Sequence, residues 1–364
     1  MKQGIWKQIL SGLAAILLLH ASSLAAGQDW QAIVKAAEKE GQVSIYGPTG
    51  TAVRNAFMQF SKAYPKIQLL YTGIGGAMSG PRVVGEQKAG IYTADLYIGG
   101  ANTPITALLP GDALDPLKPA LMLPEITDPS DWFEGRLRWI DPQQKYILQF
   151  ASKITPAISY NTKLVNPAEF NSYHDLLNPK WKGKIIAWDP YKSGSGSGDY
   201  IFWYYSPDLG PAFVTKFFSQ QQVAMSANSL QMANWLAEGR YAIGVGIDVG
   251  FIAQAKNQGL PVAVITKDLK EGAYMSSGHG TVSLLHNAPH PNAAKVYINW
   301  LLSKAGQEAV QEFAKLPSLR TDTVKDKLDP VSVPKKGVKY FMAKPEQLGL
   351  RPIQDAISKA MGGK

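Results

Sequence analysis

The strongest constraint on this chain is an alternation near its start. The apolar run VSIY (43–46) turns through GPTG into the helix-patterned TAVRNAFMQFSKAY, IQLLYTG (67–73) leads through IGGAMSG into PRVVGEQKAG, and ADLYIGG (94–100) follows. Short apolar runs bounded by glycine read as buried strands, and the segments between them have helical period. Strand, helix, strand, helix, strand at this spacing predicts a parallel α/β sheet. The first of those helices should bury Ala52, Ala56, Phe57 and Phe60 on one face. Each strand ends in small residues: Gly47-Pro48-Thr49-Gly50-Thr51, Gly73-Ile74-Gly75-Gly76 and Gly99-Gly100-Ala101-Asn102. Ligands of open α/β sheets bind beyond the carboxyl ends of the strands, where helix N-termini present free amides. A tight turn needing positive φ explains one such loop. Three in succession make Thr49, Gly50, Thr51, Gly75, Gly76 and Asn102 candidate ligand contacts.

The character then changes. GDALDPLKPALMLPEITDPSDW (111–132) reads as short helices and turns, and ILQFASKITPAISYNT (147–162) as extended chain crossing into a second unit. Beyond it LLNPKWKGKIIAWDP, a Ser-Gly stretch, a long aromatic helix, VAMSANSLQMANWLAEG, YAIGVGIDVG and LPVAVITK repeat the alternation. No sequence repeat or long linker separates the halves. We expect a leader over 1–25, a first lobe over 26–151 to which 277–330 returns, and a second over 152–276 on which 331–364 packs.

The Ser-Gly stretch, DPYKSGSGSGDY (189–200), lies between a strand ending at IIAWDP and a helix beginning at GDYIFWYY. A flexible linker would be flanked by polar sequence, and this one is not. As a strand-to-helix turn, Ser193, Gly194, Ser195 and Gly196 would aim free amides, a positive dipole end and serine hydroxyls at a carboxylate, phosphate or phosphonate. A purely structural glycine-rich turn is the alternative. It is no P-loop, because no Lys-Ser or Lys-Thr closes it.

Composition narrows the classes. Lys2 and Lys7 precede ILSGLAAILLLHA, and Ser23-Leu24-Ala25 fits a small-x-small cleavage site, so a secretory signal peptide and a periplasmic address are expected. No cysteine occurs in the 364 residues, which removes disulfides, thiolate metal sites, a cysteine nucleophile and a lipoprotein anchor. The net charge of +9 falls to +7 without Lys2 and Lys7, and the basic residues are scattered, so no nucleic-acid partner is expected. No G-x-S-x-G elbow, H-E-x-x-H or C-x-x-C is present. An enzyme is not expected; Ser195 near His279 is the one conceivable nucleophile and base.

NPKWKGKI (178–185), DPYKSGSG, AEGRYAIGVG (237–246) and above all NAPHPNAAKVYINWLLSKAGQE (287–308) resemble the ferric-ion-type branch of periplasmic solute-binding proteins of ABC importers, extracellular solute-binding family 1. The resemblance implies an α/β, type II periplasmic-binding-protein fold of two α/β lobes with extended hinge crossings, closing on a ligand delivered to an ABC permease in the inner membrane. It implies no catalysis. The branch's iron ligands are not matched. YGPTGT lacks a histidine, Gly100 stands where a carboxylate is expected, and Val249 and Gly250 stand where two adjacent tyrosines would fall. Fe(III) wants phenolate and carboxylate oxygen, so no metal and no cofactor are expected. Tyr204 and Tyr205 lie instead within the aromatic helix, where packing is their expected role.

Asp248, in a glycine-flanked loop, fits a ligand amine or hydroxyl and equally a capping role. Tyr160, with Asn161, is placed on the crossing, where it either touches ligand or serves structure. Arg82 meets an anion or forms a salt bridge, and His279 faces the cleft, while His174, His286 and His290 are surface or turn residues. The expectation is a monomeric periplasmic protein capturing a small anionic solute, a phosphonate, phosphate ester or carboxylate, by lobe closure on the Ser193 to Ser197 turn. A ferric-ion or ferric-complex carrier and a sensor for a membrane receptor kinase are the alternatives.

Overall fold

The structure, a computed structural model, describes residues 29–192 and 194–363. The expected leader over 1–25 and Ser193 lie outside the described residues. The chain forms two compact units. One runs to Ala151 and resumes over Gly278–Lys325, and the other comprises Ser152–Ser277 and Asp326–Lys364.

In the first unit the sheet order is Gln68–Gly73, Gln42–Gly47, Leu96–Gly99, Thr281–Leu285, Ile147–Gln149, Arg138–Trp139, with Leu114–Asp115 also on Thr281–Leu285. The first three strands are parallel, as the alternation predicts. Thr281–Leu285 enters antiparallel beside Leu96–Gly99 and Ile147–Gln149, so the sheet is mixed. Val43, Ile45, Leu96, Ile98, Leu148 and Val282 bury in one core with the Pro291–Leu302 helix. That helix starts on Pro291, whose missing N–H costs nothing at a first position. Its residues from Val296 to Leu302 are all buried. The early helix breaks at Gln59 into Thr51–Met58 and Phe60–Ala63. Ala56, Phe57 and Phe60 bury as expected, but Ala52 is exposed, because the buried stripe begins only in the second turn.

In the second unit the order is Ala224–Ser226, Ile185–Trp188, Ile243–Val245, Ile158–Asn161, Val262–Val264. The first three are parallel, and Ile158–Asn161 is antiparallel to both neighbours. This corrects the placement of Tyr160 on the crossing. It lies inside the sheet, on the fourth of its five strands, opposite Ile243 and Ala263, and its ring belongs to the core. Asn161 is likewise structural, its amide donating to Leu236 O at 2.8 Å. The segments flanking the Ala151/Ser152 and Ser277/Gly278 boundaries pair instead as Lys153–Ile154 with Ala273–Ser276, and Tyr340–Phe341 joins the latter in parallel. The core is aromatic: Trp203 sits edge-on to Phe213 and Phe217 at 5.2 Å. Tyr204 and Tyr205 pack against it, in accord with a packing role.

Candidate ligand site

In the second unit, Ile185–Trp188, Ala224–Ser226 and Ile243–Val245 each lead at their carboxyl ends into a nine-residue helix: Ser197–Tyr205, Ser229–Ala237 and Val249–Asn257. The Ser-Gly turn folds back over the strand it leaves. Trp188 Nε1 donates to Lys192 O at 2.9 Å, and Tyr200 Oη donates to Trp188 O. A Cβ on Gly194 would come within 2.1 Å of the Trp188 ring, one on Gly196 within 2.6 Å of Trp188 Cβ, and one on Gly198 within 2.3 Å of the Tyr274 ring. The alternating glycines are therefore fixed by packing, which lets the backbone lie directly on two aromatic rings.

Of the serines, Ser195 Oγ donates to Gly246 O at 2.6 Å and lies 3.1 Å from Ser229 Oγ, which in turn accepts from Asp248 N at 3.2 Å. Gly246, at φ +69°, presses its Cα against Gly196, where a Cβ would come within 2.6 Å of backbone. The hydroxyl proton of Ser195 is thus spent on tying the turn to the 246–248 loop. Gly194 N donates to Ser197 Oγ and Ser197 N to Gly194 O. The amides of Ser195, Gly196, Gly198 and Asp199 donate to no acceptor among the described residues. Asp248 is the N-cap of the Val249–Asn257 helix, its carboxylate accepting from Gly250 N at 2.8 Å. Val249 and Gly250 form the first turn of that helix.

Two members of this cluster, Ser229 and Asp199, carry no sequence signal of their own. Ser229 follows Asn228, the cap of its helix, and looks like an ordinary first-turn serine. Asp199 stands at the third helical position, only 3% exposed, near Tyr173, Tyr200 and Tyr274. Burial pushes its carboxyl up to about 8. No hydrogen bond reaches it among the described residues.

In the first unit the helices Thr51–Met58 and Gly76–Lys88 begin at the carboxyl ends of parallel strands, with neither a side-chain cap nor an acidic residue in the first turn. Gly50, the N-cap of the first, has φ +115°, a conformation that requires glycine. Gly75 caps the second, and Gly76 opens it. Thr49, Thr51 and Asn102 are exposed; Asn102 O accepts from Thr106 Oγ1 at 2.9 Å. Arg82 is bound to Glu86 one turn on, at 2.8 Å, and lies over the Tyr46 ring. His286 pairs with Asp115 and His290 with Asp95, structural contacts remote from these loops, and His174 is exposed. His279 lies between the 273–276 and 281–285 strands.

Helix N-termini at the carboxyl edge of a parallel sheet are where open α/β folds bind their ligands. The chain belongs to the bacterial extracellular solute-binding proteins, whose family model matches residues 21–308. No curated protein sequence matches it. Among solved structures it is similar to AfuA from Actinobacillus pleuropneumoniae, a periplasmic binding protein with fructose-6-phosphate bound, at 20% identity and TM-score 0.57, over 88% of this chain and 97% of that one. It is also similar to the Trichodesmium protein IdiA (FutA) in complex with iron and citrate, at 17% identity and TM-score 0.64, over 89% and 100%. A protein described as a two-component system component mediating signal transduction matches at 18% and 0.60, over 86% and 99%. The fold is the type II periplasmic-binding-protein fold, two α/β lobes with extended crossings. Proteins of this family bind solutes for ABC transport systems and do not convert them. Among the described residues no helix is long and apolar enough to cross a membrane.

Proposed function

We propose that this protein works in the periplasm, as a monomer, capturing a small organic solute that carries an oxyanion for an ABC permease. The solute's charged group is a phosphonate, phosphate ester or carboxylate. One observation carries this reading: the unpartnered amides of Ser195, Gly196, Gly198 and Asp199 at the start of a nine-residue helix. Such amides, with the positive end of the helix dipole, favour an anion by hydrogen bonding and by field. The Ser195–Ser229–Asp248 bonds hold the turn in place. Within the first unit, the helix N-termini at Thr51 and Gly76, with Thr49, Gly50, Gly75 and Asn102 nearby in the chain, are likewise uncapped. That AfuA, a protein of this fold, holds a phosphate ester is consistent with this chemistry.

The test is a thermal-shift screen of protein stripped by unfolding and refolding, against phosphonates, sugar phosphates, carboxylates and ferric citrate. A ligand at 100 times its Kd stabilises by about 2.7 kcal/mol. The best ligand is then followed by amide chemical shifts. The expected result is one stabilising oxyanion class that moves the Ser195, Gly196, Gly198 and Asp199 amides most. Stabilisation by ferric citrate alone, or shifts confined to other residues, overturns the reading. Copurification with a histidine kinase in place of a permease would favour the sensor.

A further inference from the structure

An aspartate at the third position of a helix ordinarily reaches back to the N-cap amide, the carboxylate half of a capping box. The second unit contains one complete example. At the 173–177 turn, Ser172 caps, and Asp175 Oδ2 accepts from Ser172 N at 2.9 Å and from Asn171 N at 2.8 Å. Gly196 and Asp199 stand at the same two positions, with Gly196 in the αR region where Ser172 is extended. There the bond is unmade on both sides. The Gly196 N–H has no acceptor, and the carboxyl of Asp199, a residue only 3% exposed, has no donor, among the described residues.

The groups that face Asp199 are Tyr200 on its own helix, Tyr173 from the 173–177 turn and Tyr274 from the 273–276 strand. Behind them stand two more acids, Glu271 beside Tyr173 and Asp189 beside Tyr200. Glu271 is already bonded to Ser172 Oγ and Tyr173 N, and Asp189 to Tyr191 N. No cation is among them, so nothing there favours the ionised form of Asp199. An isolated buried carboxylate is costly, and a neutral acid is the form that tolerates such surroundings.

We propose that Asp199 is an internal competitor for the anion turn: neutral, it leaves the Gly196 amide to the solute, and ionised, it takes that amide itself and repels the solute's charge. The proposal rests on the anion-turn reading above and adds to it a proton: binding of the oxyanion requires a protonated Asp199. An upward-shifted carboxyl fits this.

The experiment uses the full-length mature protein, with sulfate and benzoate as probes because their own charge is constant between about pH 6 and about pH 9.5. Affinity is measured at both ends for wild type and for Asp199→Asn, a near-isostere of the neutral acid that cannot ionise. The expected result is a probe affinity that falls by about tenfold per pH unit once Asp199 titrates in wild type, and is flat in the variant. Alongside, the Asp199 carboxyl carbon, followed by NMR, should titrate well above the ordinary carboxylate range and higher still with probe bound. Binding with the same pH profile in both proteins, or an Asp199 that titrates in the ordinary range, overturns the proposal and leaves the anion turn standing. Absence of binding by every oxyanion, in this experiment and in the screen, overturns both.

Discussion

Ser172–Asp175 and Gly196–Asp199 place the same acid at the same distance from a helical start, twenty-four residues apart in one unit, and treat it oppositely. At Ser172 every local donor is used: Asp175 holds two amides, and the serine hydroxyl accepts from His174 N while it donates to Glu271. At Gly196 the cap residue has no side chain, the Gly198 and Asp199 amides after the bonded Ser197 are left open, and the acid has no bond among the described residues. The first start is closed by its own side chains, and the second leaves amides to be satisfied by water or by a ligand.

That contrast can be broken at either end. The largest effect expected is in the pH dependence of stability. Asp199 is pushed up to about 8 in the fold, against an ordinary value near 3.9 in the unfolded chain. Its contribution is therefore most favourable below the unfolded value and is lost as pH rises through the folded one. Between pH 4 and 7 this amounts to about 4 kcal/mol of lost stability. Asp199→Asn should flatten that slope in denaturant titrations; an unchanged slope would show that the acid is ionised in the fold. Next in size, Gly246→Ala combines a positive φ with a backbone clash against Gly196 and should cost roughly 3 kcal/mol, read as a lower denaturant midpoint. An alanine that fits without loss would mean the turn is not pressed against this loop. Ser172→Ala, which opens the closed cap, should cost about 1 kcal/mol and leave solute affinity unchanged. If solute affinity changed, the two starts would not be separate devices. Smallest is Lys335→Ala. Its partner Asp268 and Lys335 are both about half exposed, at 3.1 Å, and exposed pairs of this kind are worth a few tenths of a kcal/mol.

Much of the architecture is visible in local pattern. The three parallel strands of the first unit, the turn between Trp188 and Tyr200 and the aromatic helix after it follow from apolar runs and glycine punctuation, which act over a few residues. What the pattern hides is pairing at a distance. Nothing in TVSLL says that it enters antiparallel between ADLYIGG and ILQF, and nothing in ISYN says that it lies inside the sheet instead of on the crossing. The same holds for the site. The anion turn is legible because glycine spacing is local. Its support by Ser229 and Gly246, the burial of Asp199 and the claim of the Trp188 ring on Gly194 come from segments brought together only by the fold. Asp248 was ambiguous between ligand and cap for the same reason, and its bond to Gly250 N is a cap.

The late strand Thr281–Leu285 carries a consequence for the order of events. It occupies the middle of the first unit's sheet, yet it follows all of Ser152–Ser277 in the chain. A chain made from its N-terminus must therefore run through Ser152–Ser277 before the first unit can close its sheet. The half that is begun first stays unfinished while most of the second is made, and until then its strand Leu96–Gly99 stays open for the partner still to come.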